Sequence, residues 1–482
     1  MIDFRPILFI VGILLTTLAI AMVLPAIVDV TVGHPDWRVF LGSAGLTLFV
    51  GVALILTNRS SKMSLGIRQA FVLTTLSWIA LTAFAALPFG FAALNLGPAD
   101  AFFEAMSGIT TTGATVIIGL DNAPPGILIW RALLQWLGGI GIIVMAVAVL
   151  PMLQVGGMQL FRTESSDKSD KIAPRAAQIA GAIGTLYVSL TLACAFCYAL
   201  AGMNGFDAVA HAMTTIATGG FSTRDASVGI FGSPAIEWIG VVFMLIGSLP
   251  FVLCLQAVRG RPLSLIRDTQ VRWFLCIVLV AIGLVAFILI FDAGMSIGTS
   301  IRLAAFNVVS ILTGTGYASA GFDKWGASAF TVFFVIMFIG GCAGSTTCGI
   351  KIFRFQVLYA TAAAQLRRLL RPHGVFIPYY NRRPITEDVA LSVMSFFFFY
   401  VLVFVCLAVG LGMLGLDFVT AMSGAATAIS NVGPGLGPVI GPESTFTYLP
   451  DAAKWLLSAG MLLGRLELFT VLILFTPAFW RD

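Results

Sequence analysis

Four short segments rich in glycine, threonine and serine stand out in the 482-residue chain. They read Ile-Thr-Thr-Thr-Gly-Ala-Thr (109–115), Ile-Ala-Thr-Gly-Gly-Phe-Ser (216–222), Thr-Gly-Thr-Gly-Tyr-Ala-Ser (313–319) and Ser-Asn-Val-Gly-Pro-Gly (430–435). An extended backbone of this composition can present carbonyl oxygens in place of the water shell of a cation. Glycine suits such a backbone because consecutive carbonyls face one axis only if some residues leave ordinary φ/ψ space. The segments therefore predict a site for a desolvated cation.

The four segments recur at a nearly constant interval. If Gly113, Gly219, Gly316 and Gly433 are taken as equivalent, each step is roughly a hundred residues, which is typical of an internal repeat. Ordinary Gly/Thr turns between helices would explain one such segment but not four in the same register. We therefore predict that the repeats contribute equivalent parts of one site.

Each segment follows a stretch that is long enough for a short helix. Asp100, Asp207 and Asp417 stand at the predicted N-cap positions of the first, second and fourth of these short helices. The third short helix would begin at Ser296 or Thr299. A helix of about 10–14 residues that enters a membrane without crossing it must be buried in protein or line water. The carboxyl ends of four such helices carry partial negative charge, which stabilises a cation where they meet.

The composition identifies the surroundings of these segments as a membrane. Hydrophobic residues make up 59% of the chain and charged residues only 10%, and the mean hydropathy is +1.00. Soluble domains carry about 25% charged residues. Apolar runs of about 20 residues are long enough to cross the hydrocarbon core, whereas a transmembrane β-barrel would show short alternating segments. The chain is therefore predicted to be an all-α polytopic membrane protein.

The apolar runs predict ten membrane spans, of which the eighth is broken between Phe330–Gly341 and Ile350–Ala364. Two spans occupy residues 1–67, and four units of helix, pore loop and helix follow. The predicted units are 68–155, 175–258, 270–370 with a broken second helix, and 385–482. We expect the units to surround a central pore with pseudo-fourfold symmetry.

An even number of spans places both termini on the same side of the membrane. Most of the 27 Lys and Arg residues lie on that side, at the termini and in four loops: Arg59–Arg68, Arg162–Arg175, Arg259–Arg272 and Lys351–Arg383. The positive-inside rule makes this side cytoplasmic. The basic residues therefore indicate membrane orientation, and they do not indicate nucleic-acid binding.

The fourth segment contains Asn-Val-Gly-Pro-Gly (431–435), which resembles the potassium-channel filter Thr-Val-Gly-Tyr-Gly, and the set of four resembles the Trk/Ktr/HKT superfamily of potassium transporters. The two additional N-terminal spans and the runs at 340–351 and 464–467 are similar to the TrkH/TrkG branch. The resemblance covers essentially the full length. It implies a K⁺ uptake protein of the bacterial inner membrane, with K⁺ as the transported ion and no organic cofactor. It further implies a homodimer in contact with lipid, and a cytoplasmic TrkA-like nucleotide-binding regulatory subunit.

The resemblance also assigns roles to residues. It implies a K⁺ filter made of Thr111, Thr112 and Gly113; Ala217, Thr218 and Gly219; Gly314, Thr315 and Gly316; and Asn431, Val432 and Gly433. The broken eighth span matches an intramembrane gating loop, with Gly344, Ser345, Thr346 and Thr347 at its centre. Glycines and hydroxyls can unwind a helix inside protein because the hydroxyls bond the freed backbone groups. A simple kink between packed helices is the alternative.

The predicted gate has two unusual features. Thr347 and Cys348 stand where the family has glycines, so we expect a stiffer or differently shaped loop. Arg465 lies about ten residues into the last apolar run, where an ionisable group is costly and usually faces a cavity. The resemblance places it in the pore as an electrostatic obstacle to cations. The alternative is an internal pair with Glu467, although residues two apart on a helix point in different directions.

Two other function classes compete with a channel-like permease. A symporter that couples K⁺ to Na⁺ or H⁺ would favour titratable residues near the membrane midplane, and few are present. An intramembrane enzyme would need a nucleophile and a base on facing helices, and no such pair is apparent. His211 lies in the second predicted pore helix and is expected to be hydrogen-bonded rather than catalytic. The sequence therefore predicts a transport protein and no enzymatic activity.

Overall fold

The computed structural model of the protein describes residues 2–59, 66–148 and 172–481. Its regular structure is almost entirely helical, which confirms the predicted all-α membrane fold. The α-helices are α1 Arg5–Ala21, α2 Val23–Val32, α3 Trp37–Thr57, α4 Ile67–Ala85, α5 Leu87–Phe91, α6 Pro98–Ile109, α7 Pro125–Ala148, α8 Ile172–Leu200, α9 Gly205–Ile216, α10 Pro234–Gly247, α11 Phe251–Val258, α12 Leu263–Arg267, α13 Thr269–Phe291, α14 Ile297–Leu312, α15 Ala327–Ile336, α16 Ile352–Leu370, α17 Glu387–Met413, α18 Phe418–Ser430, α19 Asp451–Arg465, α20 Leu468–Leu472 and α21 Pro477–Arg481. Short 3₁₀ turns cover Leu120–Asn122, Ser227–Phe231, Phe322–Lys324, Phe446–Tyr448 and Ile473–Phe475, and strands β1 (Tyr379–Tyr380) and β2 (Arg383–Pro384) form a small antiparallel hairpin.

Parts of two predicted basic loops lie outside the described residues. They include Lys62, Arg162, Lys168 and Lys171, and the predicted end of the first repeat at residue 155.

Within the described residues, seven helical segments are long and apolar enough to cross a membrane: α1–α2, α3, α4–α5, α7, α8, α13 and α17. Two bent pairs, α10–α11 and α19–α20, bring the number of spans to nine. The pair α15–α16, separated by residues 337–351, corresponds to the predicted broken span. Exposed apolar side chains such as Phe49, Leu200 and Leu279 lie on the long helices, as contact with lipid requires.

Two spans that the sequence predicts to be continuous are sharply bent. The chain turns by 104° between α10 and α11 and by 114° between α19 and the helical turns that follow it. Pro250 stands at the first bend, where it cannot donate a helical hydrogen bond, and Glu467 at the second has a φ of +59°. The second helix is therefore broken in the second, third and fourth repeats, and not in the third alone.

The four short helices α6, α9, α14 and α18, which we call the pore helices, occupy the centre of the fold. Each contacts a helix of a neighbouring repeat. α6 packs against α19, α9 against α7, and α14 against α10. Ala426 of α18 lies in the same buried cluster as Phe333 of α15, which completes the cycle. Small residues line these helices and allow the close approach that such packing needs.

The predicted N-caps are confirmed for two pore helices and wrong for two. Asp417 accepts a hydrogen bond from the Thr420 amide and caps α18, and hydrogen bonds from Thr420 hold the pKa of Asp417 below its usual range. Ser296 caps α14. In α9 the cap is Asn204, which bonds the amide of Asp207.

In α6 the N-cap position is Gly97, and Asp100 in the first turn instead pairs with Lys454 at 2.5 Å. The two displaced aspartates therefore bind other side chains in place of the helix end.

Candidate functional site

Each pore helix ends in the same hydrogen-bonded turn. One amide bonds the carbonyl three residues back, and the next amide bonds the carbonyl five residues back at 2.8–3.1 Å. This pair of bonds defines a Schellman motif, in which the residue after the helix takes a left-handed conformation. The left-handed residues are Thr111, Thr218, Gly314 and Asn431, and the residues that make the longer bond are Thr112, Gly219, Thr315 and Val432.

A second left-handed residue follows two positions later in every segment. These residues are Gly113, Gly220, Gly316 and Gly433, with φ between 75° and 108°. Left-handed residues at alternate positions turn successive carbonyls toward one side, where a strand would point them to opposite sides. Thr111 and Thr218 are β-branched and rarely adopt φ near +50°. Such strain marks residues whose conformation serves a function.

The dihedral angles correct the predicted register of the second repeat. Gly220, and not Gly219, has the backbone conformation of Gly113, Gly316 and Gly433, and the hydrogen-bond pattern gives the same alignment. The predicted equivalence of Gly219 is therefore wrong by one residue, and the counterpart of the triplet 111–113 is 218–220. Ala217, which the predicted filter includes, lies just before the triplet 218–220.

The second left-handed glycines link the four segments into a closed ring. A Cβ built on Gly113 would lie 2.3 Å from the Gly219 oxygen, one on Gly220 1.8 Å from the Thr315 oxygen, one on Gly316 2.0 Å from the Val432 oxygen, and one on Gly433 2.7 Å from the Thr112 oxygen. Each glycine thus packs against a carbonyl of the next repeat, and the last packs against the first. We call the oxygens of Thr112, Gly219, Thr315 and Val432 the carbonyl ring.

Two buried side-chain oxygens next to the ring have no hydrogen-bond partner among the residues that the structure describes. They are the Thr111 Oγ1 and the Asn431 Oδ1, both on the first left-handed residue of their segment. Buried polar atoms are normally satisfied, so an orphan oxygen indicates a place for water or a cation. A cavity of about 570 Å³ touches all four ring glycines and is lined by charged residues including Arg224 and Glu443.

A buried ion pair that sequence reasoning missed holds the first two segments together. Glu104 accepts a hydrogen bond from the Arg131 Nε at 2.7 Å and from the Val116 amide at 2.9 Å. Arg131 also donates to the Ser222 carbonyl at 2.7 Å. A charge in each of two apolar segments is the signal that could have identified this pair, because such charges are costly unless they are paired.

Polar side chains on the other pore helices make comparable contacts with their own segments. His211 bonds Ser222 at 3.0 Å, and its other nitrogen bonds the Asp207 carbonyl, so its hydrogen-bonded role is confirmed. Asn307 bonds Ser319, and Ser423 bonds the backbone of Leu436. Each extended segment is thus fixed to the helix that precedes it.

The break between α15 and α16 forms a closed loop, residues 337–351, which we call the intramembrane loop. Its two ends are joined by bonds from the Gly340 amide to the Ile350 carbonyl and from the Ile350 amide to the Phe338 carbonyl, both 3.0 Å. Ser345 donates to the Cys342 carbonyl at 2.6 Å. These bonds satisfy backbone groups that the unwound helix leaves free, which favours a built loop over a simple kink.

The intramembrane loop lies directly against the second segment. The Thr218 hydroxyl donates to the Thr346 hydroxyl at 3.0 Å. The Thr346 hydroxyl in turn donates to the carbonyls of Gly247 and Ile216, at 2.9 and 3.2 Å. Thr218 is the first left-handed residue of its segment, so the loop meets that segment where the chain leaves α9. The loop is also next to the bend that separates α10 from α11.

Arg465 binds the intramembrane loop from the fourth repeat. Its guanidinium donates to the Thr346 carbonyl at 3.0 Å, the Cys348 sulfur at 2.7 Å and the Gly138 carbonyl at 2.9 Å. The alternative pairing with Glu467 is wrong, because Glu467 pairs with Arg354 instead. Arg465 is buried and lies where residues of the first, third and fourth repeats meet.

The two residues that depart from the glycine pattern have partners of their own. The Thr347 hydroxyl accepts from the Gly341 amide at 3.2 Å and bonds the Ser345 hydroxyl at 2.7 Å, and Lys351 donates to the Thr347 carbonyl. The Cys348 sulfur accepts from Arg465. Glycine at these positions would keep the carbonyl that Lys351 binds but would lack the hydroxyl bonds of Thr347 and the sulfur contact of Cys348, so the loop has more fixed bonds than a glycine loop would have.

Comparisons with known proteins agree with this geometry. Residues 37–481 match the family TrkH, described as "Cation transport protein". The chain is 49% identical to the Trk system potassium uptake protein TrkI of Halomonas elongata, over 99% of this chain and 97% of that one. It is 40% identical to the Trk system potassium uptake protein TrkH of Escherichia coli (strain K12), over 99% and 100%. It also matches the crystal structure of the potassium transporter TrkH from Vibrio parahaemolyticus, with a TM-score of 0.93, 40% identity and full coverage of both chains.

Proposed function

The chain belongs to the TrkH family of cation transport proteins, and we propose that it takes up K⁺ across the inner membrane of a bacterium through a channel-like pore. The observation that carries the proposal is the closed carbonyl ring, which four pore helices form where their carboxyl ends meet. The names of the relatives support K⁺ as the ion. The four predicted repeats, with both termini in the cytoplasm, are part of the same proposal.

The ring can act as a selectivity filter by replacing the water shell of the ion. The ends of the pore helices supply partial negative charge, and the ring supplies four oxygens. The filter residues of this proposal are 111–113, 218–220, 314–316 and 431–433. The intramembrane loop and Arg465 act as the gate because both lie at the inner end of the second segment. None of these steps changes a covalent bond.

Ion flux into liposomes tests the proposal. Purified protein is expected to admit K⁺ and Rb⁺ down their gradients and to admit Na⁺ and Li⁺ more slowly. A symporter would instead require a Na⁺ or H⁺ gradient for K⁺ uptake, so flux driven by K⁺ alone separates the two mechanisms. Absence of any K⁺ preference would contradict the proposal.

Gly113→Ser is expected to lower the K⁺ over Na⁺ flux ratio about tenfold, which corresponds to about 1.4 kcal/mol. The serine Cβ would meet the Gly219 oxygen at 2.3 Å, and the φ of 89° is strained for serine, so the ring must shift. Gly119→Ser is the matched control, because Gly119 has φ +80° but nothing within 4 Å of its Cβ position. A ratio unchanged in Gly113→Ser would remove Gly113 from the filter.

The regulatory subunit and the homodimer implied by the resemblance remain predictions. Arg367, Arg368 and Arg371 lie exposed at the predicted cytoplasmic end of α16 and offer a docking surface for a TrkA-like partner. Reversing all three to glutamate is expected to weaken capture of that partner about tenfold or more, because exposed charges steer association. Arg38→Glu, an exposed arginine at the predicted outer side, is the control. Equal capture by both variants and the parent would place the docking surface elsewhere.

A further inference from the structure

Gln135 of α7 touches the carbonyl ring with its side chain. The residue is fully buried, and its Nε2 donates to the Gly219 oxygen at 2.6 Å. Its Oε1 accepts from the Phe221 amide at 3.0 Å. Both ends of one amide therefore bond the second segment, on either side of the left-handed Gly220. Gln135 belongs to the first repeat, so this contact also joins two repeats.

The contact makes the ring asymmetric. In the part of the chain that the structure describes, the oxygens of Thr112, Thr315 and Val432 accept no hydrogen bond from a protein donor, whereas the Gly219 oxygen accepts one. One of the four ring members is thus occupied by a donor before any ion arrives. The pore helices and their turns are equivalent, so the asymmetry comes from the side chain of Gln135.

We infer that Gln135 is a specificity-determining residue, which sets the strength and position of one ring oxygen. A carbonyl that already accepts a hydrogen bond offers less negative potential to a cation, and a weaker ring penalises the dehydration of Na⁺ more than that of K⁺. The same amide fixes the segment from Gly219 to Phe221, which keeps the ring from contracting around a smaller ion. The inference rests on the proposed function, because it requires that the ring binds the transported cation.

Gln135→Met tests the inference, because methionine has a similar length and shape but no amide donor. We expect its K⁺ over Na⁺ flux ratio in liposomes to fall about fivefold, the size of the net contribution of one hydrogen bond. K⁺ flux itself should remain measurable. Gln356→Met is the matched control, because Gln356 is a buried glutamine of α16 that donates to the Thr269 carbonyl at 2.9 Å and does not contact the ring, so its ratio should equal that of the parent.

Three outcomes decide between the explanations. A parent-like ratio in Gln135→Met, or an equal fall in Gln356→Met, would overturn the inference while leaving the proposed function intact. A parent protein without K⁺ preference would overturn the proposed function, and the inference with it. If Gln135→Met does not fold, Gln135→Leu decides: leucine is also uncharged and cannot donate to the Gly219 oxygen, and the same fall is expected.

Discussion

Deleting Gly344–Thr347 is expected to raise K⁺ flux at least about tenfold in liposomes that contain no regulatory partner. These residues form the tip of the intramembrane loop, and Thr346 bonds Thr218 at the inner end of the second segment. If the loop acts as the proposed gate, removing its tip takes protein atoms out of the path of the ion. The loop ends remain joined through Gly340 and Ile350, so the flanking helices keep their connection. Stopped-flow or isotope flux of K⁺, normalised to folded protein, measures the change.

In the proposed gate, Arg465 opposes the ion in a second way. A unit charge about 4 Å from a passing K⁺ repels it by roughly 4 kcal/mol at an effective dielectric near 20. Arg465→Ala removes this charge and the bonds to Thr346 and Cys348, whereas Arg465→Lys keeps the charge and loses the planar fork. Faster flux in Arg465→Ala alone would identify the positive charge as the obstacle. Faster flux in both variants would identify the hydrogen bonds to Thr346 and Cys348 as the obstacle.

The gate proposal fails if both the deletion and Arg465→Ala fold and conduct no faster than the parent. In that case neither the loop nor the arginine lies in the path of the ion. A deletion variant that conducts faster but loses K⁺ preference would show that the loop supports the filter from below, since Thr346 contacts Thr218.

The sequence predicts the apolar helices well because they depend on local composition. Membrane spans follow from the hydropathy of about 20 consecutive residues, and the pore helices follow from spacing and capping residues. Capping already shows the limit of local reasoning. Asn204 and Asp207 are both good caps three residues apart, and only the contacts of Asp207 with Thr223 and Arg224 show which one begins the helix.

Features that depend on contacts between repeats could not be predicted from local pattern. The bend at Pro250 lies inside an apolar run, and the intramembrane loop fits against it through the bond from Phe251 to Gly344. Arg131 and Glu104 lie in different elements and pair only when α6 and α7 pack together. Arg465 was found because its position in an apolar run is costly, and the same argument applied to Arg131 would have found the second buried arginine.

The register of the second segment was wrong because its two adjacent glycines are indistinguishable by composition. Ala-Thr-Gly at 217–219 matches the pattern Thr-Thr-Gly at 111–113 as well as Thr-Gly-Gly at 218–220 does. The choice depends on where α9 ends, since in α6, α9 and α14 the first left-handed residue stands two positions after the last helical residue. That end is at Ile216, and it places Thr218 and Gly220 in the two left-handed positions.

Gly220→Ala is therefore expected to abolish selective K⁺ flux, with a loss of about a hundredfold or more, while Gly219→Ala retains flux. A Cβ at Gly220 would lie 1.8 Å from the Thr315 oxygen, which is backbone, and the φ of 75° disfavours alanine. The nearest atoms to a Cβ at Gly219 belong to the end of the Gln135 side chain, at 2.4 Å, and a side chain can shift where backbone cannot.

Displacing Gln135 in Gly219→Ala should lower the K⁺ over Na⁺ ratio to the level of Gln135→Met without closing the path. Liposome flux of both variants, at matched amounts of folded protein, makes the comparison. The opposite order, with Gly219→Ala inactive and Gly220→Ala close to the parent, would restore the register that the sequence predicts. It would also mean that the carbonyl ring is not the surface that the ion meets. The carbonyl ring requires glycine at position 220, because Gly220 packs against the Thr315 oxygen.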